Sequence, residues 1–280
     1  MPHAISRPCP GGTAAKILLA AAALALGANG ALAQEPENPL LGDWHLTGTA
    51  GVLYSDGNYG TPINTDVLLG LSSLSLSDDD FKFTASIPYM RISGRGLVVF
   101  DASGNPILIN RRTNLPPDVR TGWGDLMLSA SYTVPAAILS GFEVRMTGVA
   151  KVPTAPARRR LSTGEADFGA SVDVSRQFGA WTPFVTGGYM YRGEPAGFTI
   201  YDTTSMSVGT SVELRDDLVA TASYDFDSAD SPLVPAGHGL FGSLSWIRSD
   251  RVTLTGYATV GLSAGSPDVG AGLLLSYGLN

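Results

Sequence analysis

The sequence predicts an all-β protein, a transmembrane antiparallel up-and-down β-barrel of about twelve strands. Three observations lead to this fold class. Apolar and polar residues alternate along segments of suitable length, tight and long connections follow each other in turn, and aromatic residues gather near both ends of the apolar face. Together these features are typical of a barrel that crosses a membrane with strands.

The first residues have the layout of a secretory signal peptide. Arg7 and Lys16 precede an apolar run over 17–26, and the triplet Ala-Leu-Ala at 31–33 matches a small-x-small cleavage site. The run is shorter than the ~20 residues that a helix needs to cross a bilayer. We therefore expect residues 1–33 to be removed during export.

Removal of this peptide defines the remaining chain. Residues 34–43 are expected to form a short periplasmic lead-in, and 44–280 the barrel. Cys9, the single cysteine, leaves with the signal, which excludes disulfides, thiolate catalysis and cysteine metal sites from the mature chain. The formal charge of −7 becomes −9 when two basic residues are lost. An acidic exported protein is not expected to bind nucleic acid.

The alternating segments define the strands. Each is close to, or slightly longer than, the ~9–11 residues that a tilted strand needs to cross a membrane. No helical stripe of useful length follows residue 33. The predicted strands are 44–55, 64–76, 81–92, 122–134, 141–152, 166–178, 181–192, 202–214, 218–228, 238–248, 251–263 and 269–279.

The connections distinguish a membrane barrel from a soluble sandwich. Short periplasmic turns that alternate with longer extracellular loops are expected of an outer-membrane barrel, whereas a sandwich has no reason to keep this order. Odd-numbered connections are mostly long: 56–63, 93–121, 153–165, 193–201 and 229–237, with a shorter one at 264–268. Even-numbered connections are tight: 77–80, 135–140, 179–180, 215–217 and 249–250.

Aromatic residues on the apolar face form two girdles around an aliphatic band. Ring edges tolerate the headgroup region, so such girdles mark a lipid-facing surface. At the short-turn end they are Trp44, Phe81, Tyr132, Phe142, Phe178, Trp181, Trp246 and Tyr277. At the long-loop end they are Tyr54, Tyr89, Phe168, Tyr189, Tyr191, Tyr224 and Phe226.

The inward positions are mostly Ser, Thr and Gly, with isolated charges that form a candidate lumen cluster: Asp125, Glu143, Arg145, Lys151, Asp167 and Asp173. The turns predict a register in which Arg145 lies opposite Asp173, and Lys151 lies between Asp125 and Asp167. Opposite charges across strands stabilise pairing by up to about 1 kcal/mol. The cluster either stiffens the wall or sets the charge of a pore, and both readings stay open.

The long connection 93–121 carries apolar runs at 97–100 and 107–109 around a Gly-Asn turn, which predicts a hairpin. This hairpin extends the wall outward, folds in as a constriction, or offers an apolar landing site. Arginines of this connection and of the next long one are either simply solvated, or pair with lipopolysaccharide phosphates, or attract anionic solutes to the mouth. The candidate contacts are Arg111, Arg112, Arg158, Arg159 and Arg160.

A rim-located hydrolase is the enzymatic alternative. The mature chain holds two histidines, and His238 begins the strand after the one that carries Asp225 and Asp227. An Asp–His contact at the outer rim is the arrangement that such an enzyme would need. No nucleophile motif accompanies it, so no enzymatic activity, metal or other cofactor is expected.

Five short stretches carry a resemblance to a known family: Ile87-Pro88-Tyr89, Thr121-Gly-Trp-Gly-Asp125, Lys151-Val-Pro-Thr154, Ser162-Thr-Gly-Glu-Ala-Asp167, and Gly187-Gly-Tyr through Tyr191-Arg-Gly-Glu-Pro195. The chain resembles outer-membrane transporters associated with the meta-cleavage phenol-degradation pathway. The resemblance implies a porin-like barrel that passes small, often aromatic or hydrophobic, compounds. The family's motifs include Asp125, Lys151 and Asp167, three members of the lumen cluster.

These observations give a functional expectation. The chain is expected to be a channel for passive uptake of small molecules in the outer membrane of a Gram-negative cell. Its expected partners are outer-membrane lipid, lipopolysaccharide, the barrel assembly machinery and small solutes. A structural or surface-interaction barrel with a closed lumen is the alternative, and a rim enzyme has less support.

Overall fold

The computed structural model describes residues 44–58, 64–94, 97–100, 106–110 and 118–280. The signal peptide and the lead-in lie outside these residues and stay predictions. The described strands are β1 (His45–Gly57), β2 (Thr65–Ser77), β3 (Phe81–Gly94), β4 (Leu97–Phe100), β5 (Pro106–Asn110), β6 (Asp118–Trp123), β7 (Leu126–Val134), β8 (Phe142–Val152), β9 (Asp167–Arg176), β10 (Trp181–Tyr191), β11 (Thr203–Arg215), β12 (Leu218–Asp227), β13 (Gly237–Ser249), β14 (Val252–Gly261) and β15 (Val269–Gly278).

The strands close into a ring. Every consecutive pair of wall strands is antiparallel, and β1 pairs with both β2 and β15, which joins the two ends of the sheet. β6 and β7 together form one wall strand, and β4 and β5 pair only with each other in a separate sheet. The described chain is therefore a closed up-and-down barrel of twelve strands, and the predicted fold class is confirmed.

The fourth wall strand departs from the prediction. It begins at Asp118 instead of residue 122, because β3 continues to Gly94 and pairs with β6 along its whole length. The register also shifts between Tyr89↔Trp123 and Ser86↔Met127, so the fourth strand carries one extra residue. This β-bulge lies at the junction of β6 and β7 and turns two successive residues away from lipid.

The connections alternate as predicted. The turn at 177–180 is closed by two backbone hydrogen bonds between Phe178 and Trp181, and Gly179 adopts a left-handed φ of 62° that a glycine accepts without strain. The connection 153–166 contains a 3₁₀ helix, Ala157–Arg159. The predicted 93–121 hairpin forms from β4 and β5, while its turn lies outside the described residues. No helix in the described ranges is long and apolar enough to cross a membrane.

The polarity of the barrel is inverted relative to a soluble protein. On β9, Phe168 and Val172 are 55% and 44% exposed, whereas Asp167 and Asp173 are 1% and 4% exposed. The same contrast holds around the ring, where large aliphatic and aromatic side chains are exposed and Ser and Thr are buried. An exposed apolar surface of this extent is stable only against another apolar phase. The described exterior is therefore that of a membrane barrel.

Hydroxyl groups satisfy one another inside the half of the barrel nearer the short turns. Five cross-strand pairs share a hydrogen bond there, which removes the cost of burying an unpaired hydroxyl. They are Thr49–Ser276 (2.9 Å), Ser75–Thr84 (3.0 Å), Ser131–Thr147 (3.0 Å), Ser211–Thr221 (2.9 Å) and Ser245–Thr255 (3.0 Å). We call them the hydroxyl belt.

A charge placed on the lipid-facing wall tests the membrane exterior. Val172→Arg, at the middle of β9, is expected to lower the free energy of unfolding in lipid vesicles by ~2–4 kcal/mol. The matched change Val119→Arg, at the long-loop end of β6, should cost no more than ~1 kcal/mol, because the headgroup region solvates the cation. Urea titration followed by gel mobility measures both losses. Equal losses at the two depths would contradict a lipid-facing band.

Candidate functional site

The inward charges form two groups rather than one cluster. Glu143, Arg145 and Lys151 all lie on the inward face of β8. Lys151 follows Arg145 by six positions, which corresponds to about 20 Å along a strand. One group therefore lies near the short turns with the hydroxyl belt, and the other lies near the long loops.

Near the short turns the strand register is the predicted one, but the ion pair of Arg145 is not with the residue opposite it. Arg145 is directly opposite Asp173. Its guanidinium Nη2, however, pairs with Glu143 Oε1 at 3.2 Å, and its Nε donates to Thr133 Oγ1 at 3.1 Å. Thr186 Oγ1 donates to Asp173 Oδ1 at 2.5 Å. The long Arg145 side chain thus reaches along its own strand and to the strand on the other side.

The group near the long loops contains a fully buried ion pair. Lys151 Nζ lies 2.7 Å from Asp167 Oδ2, and the two side chains are 0% and 1% exposed. Lys151 Nζ also donates to Thr163 Oγ1 at 3.0 Å, and the backbone N–H of Gly193 donates to Asp167 Oδ1 at 3.1 Å. These extra hydrogen bonds offset part of the desolvation cost that burial imposes on two charges.

Lys151 lies on the strand between the wall strands of Asp125 and Asp167, as predicted, but Asp125 has hydrogen-bond partners of its own. Its Oδ1 accepts the backbone N–H of Ala155 at 2.9 Å, and its Oδ2 accepts a short hydrogen bond from Ser162 Oγ. The β-bulge turns Asp125 inward, toward the connection 153–166. Asp125 therefore holds that connection, and Lys151 has Asp167 as its ion-pair partner.

The five motifs of the family resemblance meet at this point. Besides the contacts above, the backbone N–H of Gly124 donates to Pro88 O at 2.8 Å. Close approach explains the glycines. A Cβ at Gly124 would lie 2.6 Å from Met90 Cε, and one at Gly193 would lie 2.7 Å from Ala166 O. We call this meeting point the motif junction.

A cluster of apolar side chains also faces inward, and the sequence prediction missed it. Its members have inward strand positions or, for Leu161, a position in the connection 153–166, and all are at most 7% exposed. Phe241 and Tyr257 stack within it, with ring centroids 5.8 Å apart. We call it the apolar lumen cluster: Leu53, Val67, Leu69, Leu71, Met90, Ile92, Leu161, Phe184, Phe241, Tyr257 and Leu274. Its strand members could have been identified from the sequence, because the alternation on each strand assigns their positions to the inward face.

A second network ties two other long connections together. Arg192 Nη1 lies 3.8 Å from Asp230 Oδ2, and both side chains are largely buried. Asp202, in the connection before β11, accepts hydrogen bonds from Tyr189 Oη at 2.5 Å and from the backbone N–H of Arg192 at 3.0 Å. These hydrogen bonds, that from Tyr189 first, hold the pKa of the Asp202 carboxyl below its usual value.

The geometry contradicts the rim dyad. His238 lies on the outward face, where its Nδ1 is 2.7 Å from Tyr224 Oη and its ring is 5.3 Å from that of Phe226. Asp225 and Asp227 have the opposite, inward phase on β12. Alternation therefore separates the two groups by the barrel wall. Among the described residues, no group of three or more metal-ligating side chains is arranged to hold an ion.

The candidate lipopolysaccharide arginines are only partly described. Arg158, Arg159 and Arg160 are exposed. Arg159 Nη1 donates to Thr121 O at 3.3 Å, so at least one of the three also holds the connection in place. Arg111 and Arg112 lie outside the described residues. Contact of these arginines with lipopolysaccharide stays a prediction.

Comparison with solved structures shows a shared fold. An outer-membrane channel from Pseudomonas putida F1 matches with a TM-score of 0.66 at 13% identity, over 88% of this chain and 100% of that chain. The NanC porin matches with a TM-score of 0.51 at 8% identity, over 84% of this chain and 99% of that chain. No family model and no curated protein matches the chain. The chain therefore has the barrel fold of these two proteins.

Removal of one partner from the buried ion pair tests its role. Lys151→Met leaves the Asp167 carboxylate buried without its cation, and should lower the free energy of unfolding by about 3–5 kcal/mol. Lys151→Met combined with Asp167→Asn should regain most of this loss, because the amide still accepts the Gly193 N–H. Urea titration of the refolded chain in lipid vesicles measures each variant.

The exposed ion pair between Arg215 and Asp217, 64% and 45% exposed, provides the control. Arg215→Met should cost less than ~1 kcal/mol. A loss for Lys151→Met no larger than that for Arg215→Met would show that the buried pair does not stabilise the motif junction.

Proposed function

We propose that the protein is an outer-membrane channel for passive uptake of small aromatic or hydrophobic compounds. The observation that carries this proposal is the apolar lumen cluster, which lies inside a barrel whose exterior is already apolar. Because lipid satisfies the exterior, the fold does not require apolar residues at inward strand positions. Ser and Thr occupy equivalent positions in the hydroxyl belt.

The interior is divided between a charged side and an uncharged side. Within the described residues, the inward positions of the adjacent strands β13, β14, β15, β1 and β2 carry no Asp, Glu, Lys or Arg. The inward charges lie on the remaining strands, from Lys82 on β3 to Asp227 on β12. A solute that follows the uncharged side meets hydroxyl groups and the apolar lumen cluster. This arrangement favours apolar solutes over ions.

The energetics agree with such a solute. Each Å² of apolar surface that a solute transfers from water to apolar side chains is worth about 25 cal/mol. A lumen lined only by Ser and Thr would give no such gain, whereas a wholly apolar lumen would hold the solute too tightly for release. The apolar lumen cluster followed by the hydroxyl belt offers favourable entry and a polar exit toward the short turns.

Two further observations support the proposal. The solved structures that share this fold are described as an outer-membrane channel and a porin. The motifs resemble those of outer-membrane transporters associated with phenol degradation, and in the structure these motifs meet at the motif junction beside the apolar lumen cluster. Both support placement in the outer membrane, with the long connections facing outward.

Uptake into intact cells tests the proposal. In a Gram-negative host without its general porins, expression of the protein should raise the initial uptake rate of radiolabelled toluene several-fold over the empty vector. Uptake of radiolabelled arabinose should not change. Leu69→Asn should remove most of the gain, because it places an amide in the apolar lumen cluster.

Ser73→Asn is the matched control, because Ser73 lies on the same inward face of β2 and outside the cluster. It should retain the toluene rate. Equal gains for toluene and arabinose would indicate a general diffusion pore. No gain for either solute, with folded protein in the outer membrane, would favour the structural barrel with a closed lumen.

A further inference from the structure

We propose that the connection 153–166, here called the inward loop, is the size-selective constriction of the channel, and that Leu161 is its selectivity residue. Asp125, Lys151 and Asp167 are then positioning residues that hold the loop. This inference rests on the proposed function and adds to it the part of the chain that selects among solutes. The sequence alone indicates only the 93–121 connection as a candidate constriction.

The course of the inward loop supports this assignment. It joins β8 to β9, yet its hydrogen bonds reach β6 and β7, on the far side of β8. Leu126 N donates to Thr154 Oγ1 at 2.9 Å, and Arg120 Nη1 donates to Arg160 O at 2.6 Å. A loop that only extended the wall outward would not make these contacts. The inward loop therefore folds back over the fourth wall strand.

Leu161 is buried inside the barrel although it belongs to a loop. Its side chain is 1% exposed and belongs to the apolar lumen cluster, whose other members all come from wall strands. Its Cδ1 lies 3.1 Å from the position that a Cβ on Gly122 would occupy. A leucine at the rim of a barrel would be exposed to water or lipid. Leu161 instead lies against the inward face of the wall.

The backbone before Leu161 has an unusual conformation. Arg160 adopts a left-handed φ of 53°, a conformation that non-glycine residues rarely adopt. Such a conformation persists where surrounding contacts determine it. The hydrogen bond from Arg120 to the carbonyl of Arg160 is one such contact, and it fixes the turn that directs Leu161 inward.

Charged residues anchor the inward loop near both of its ends. Asp125 holds Ala155 near its start and Ser162 near its end. Lys151, paired with Asp167, holds Thr163. The segment between these anchors contains Leu161, so its position is fixed from both sides. This explains why three charged residues of the motif junction lie beside an apolar path: they fix the loop and need not contact the solute.

Size selection by Leu161 is tested with two aromatic solutes. In the porin-deficient host, Leu161→Ala should raise the ratio of naphthalene uptake to toluene uptake at least about three-fold, because the shorter side chain admits the bulkier ring system. Leu161→Asp should lower uptake of both solutes and raise the single-channel current of monovalent cations in planar bilayers. Ser162→Ala, which removes one anchor, should raise the naphthalene ratio in the same direction.

Ile138→Ala is the matched control, since Ile138 is 70% exposed in the short turn between β7 and β8 at the opposite end of the barrel. It should leave the ratio unchanged. Gel mobility before and after heating establishes that each variant is folded, and the two Leu161 variants have opposite expected effects on naphthalene uptake.

The outcomes separate this inference from the proposed function. If the wild-type protein takes up toluene while both folded Leu161 variants keep its naphthalene ratio and cation current, the inward loop is not the constriction and the channel proposal stands. If the wild-type protein takes up neither solute, both proposals are wrong.

Discussion

The closed ring of backbone hydrogen bonds is the constraint on which the rest of the structure depends. A bilayer core offers no water to an unpaired N–H or C=O, so a sheet can cross it only when no edge remains. β1 satisfies this by pairing with β2 and β15. Across the same seam, Asn280 Oδ1 accepts a hydrogen bond from Leu46 N–H (2.6 Å), and Asn280 Nδ2 donates one to Trp44 O (2.8 Å). Once the ring is closed, alternation sends one face of each strand to lipid and the other inward.

The interior then has to satisfy its own polar groups in a narrow space. The hydroxyl belt does so by neutral pairs, and the Lys151–Asp167 pair does so with charges that also fix a loop. The price of burying these charges is offset by Thr163 and the backbone of Gly193. Among the described residues the inward charges lie on one side of the ring and the strands from β13 through β2 carry none on their inward face, and this asymmetry underlies the proposed preference for apolar solutes.

The wall strands were predictable because alternation, turn residues and girdle aromatics are local signals. The same signals placed Arg145 opposite Asp173, but they could not show that the guanidinium reaches Glu143, since its partner depends on side-chain reach and not on register. The β-bulge beside Asp125 was not predictable, because an extra residue is recognised only from the pairing of its strand with the neighbouring strand. Leu161 was missed for a related reason: a loop has no periodicity from which the direction of a side chain follows.

The central claim, that one face of every strand meets lipid and the other faces inward, is tested most directly by spin labels placed one at a time along β9. Cys9 is the single cysteine of the sequence, so a chain expressed without residues 1–33 offers no competing thiol. In lipid vesicles, collision with oxygen should be high at 168, 170, 172 and 174 and low at 169, 171, 173 and 175, with a period of two. A flat profile, or a profile of the opposite phase, would contradict the account.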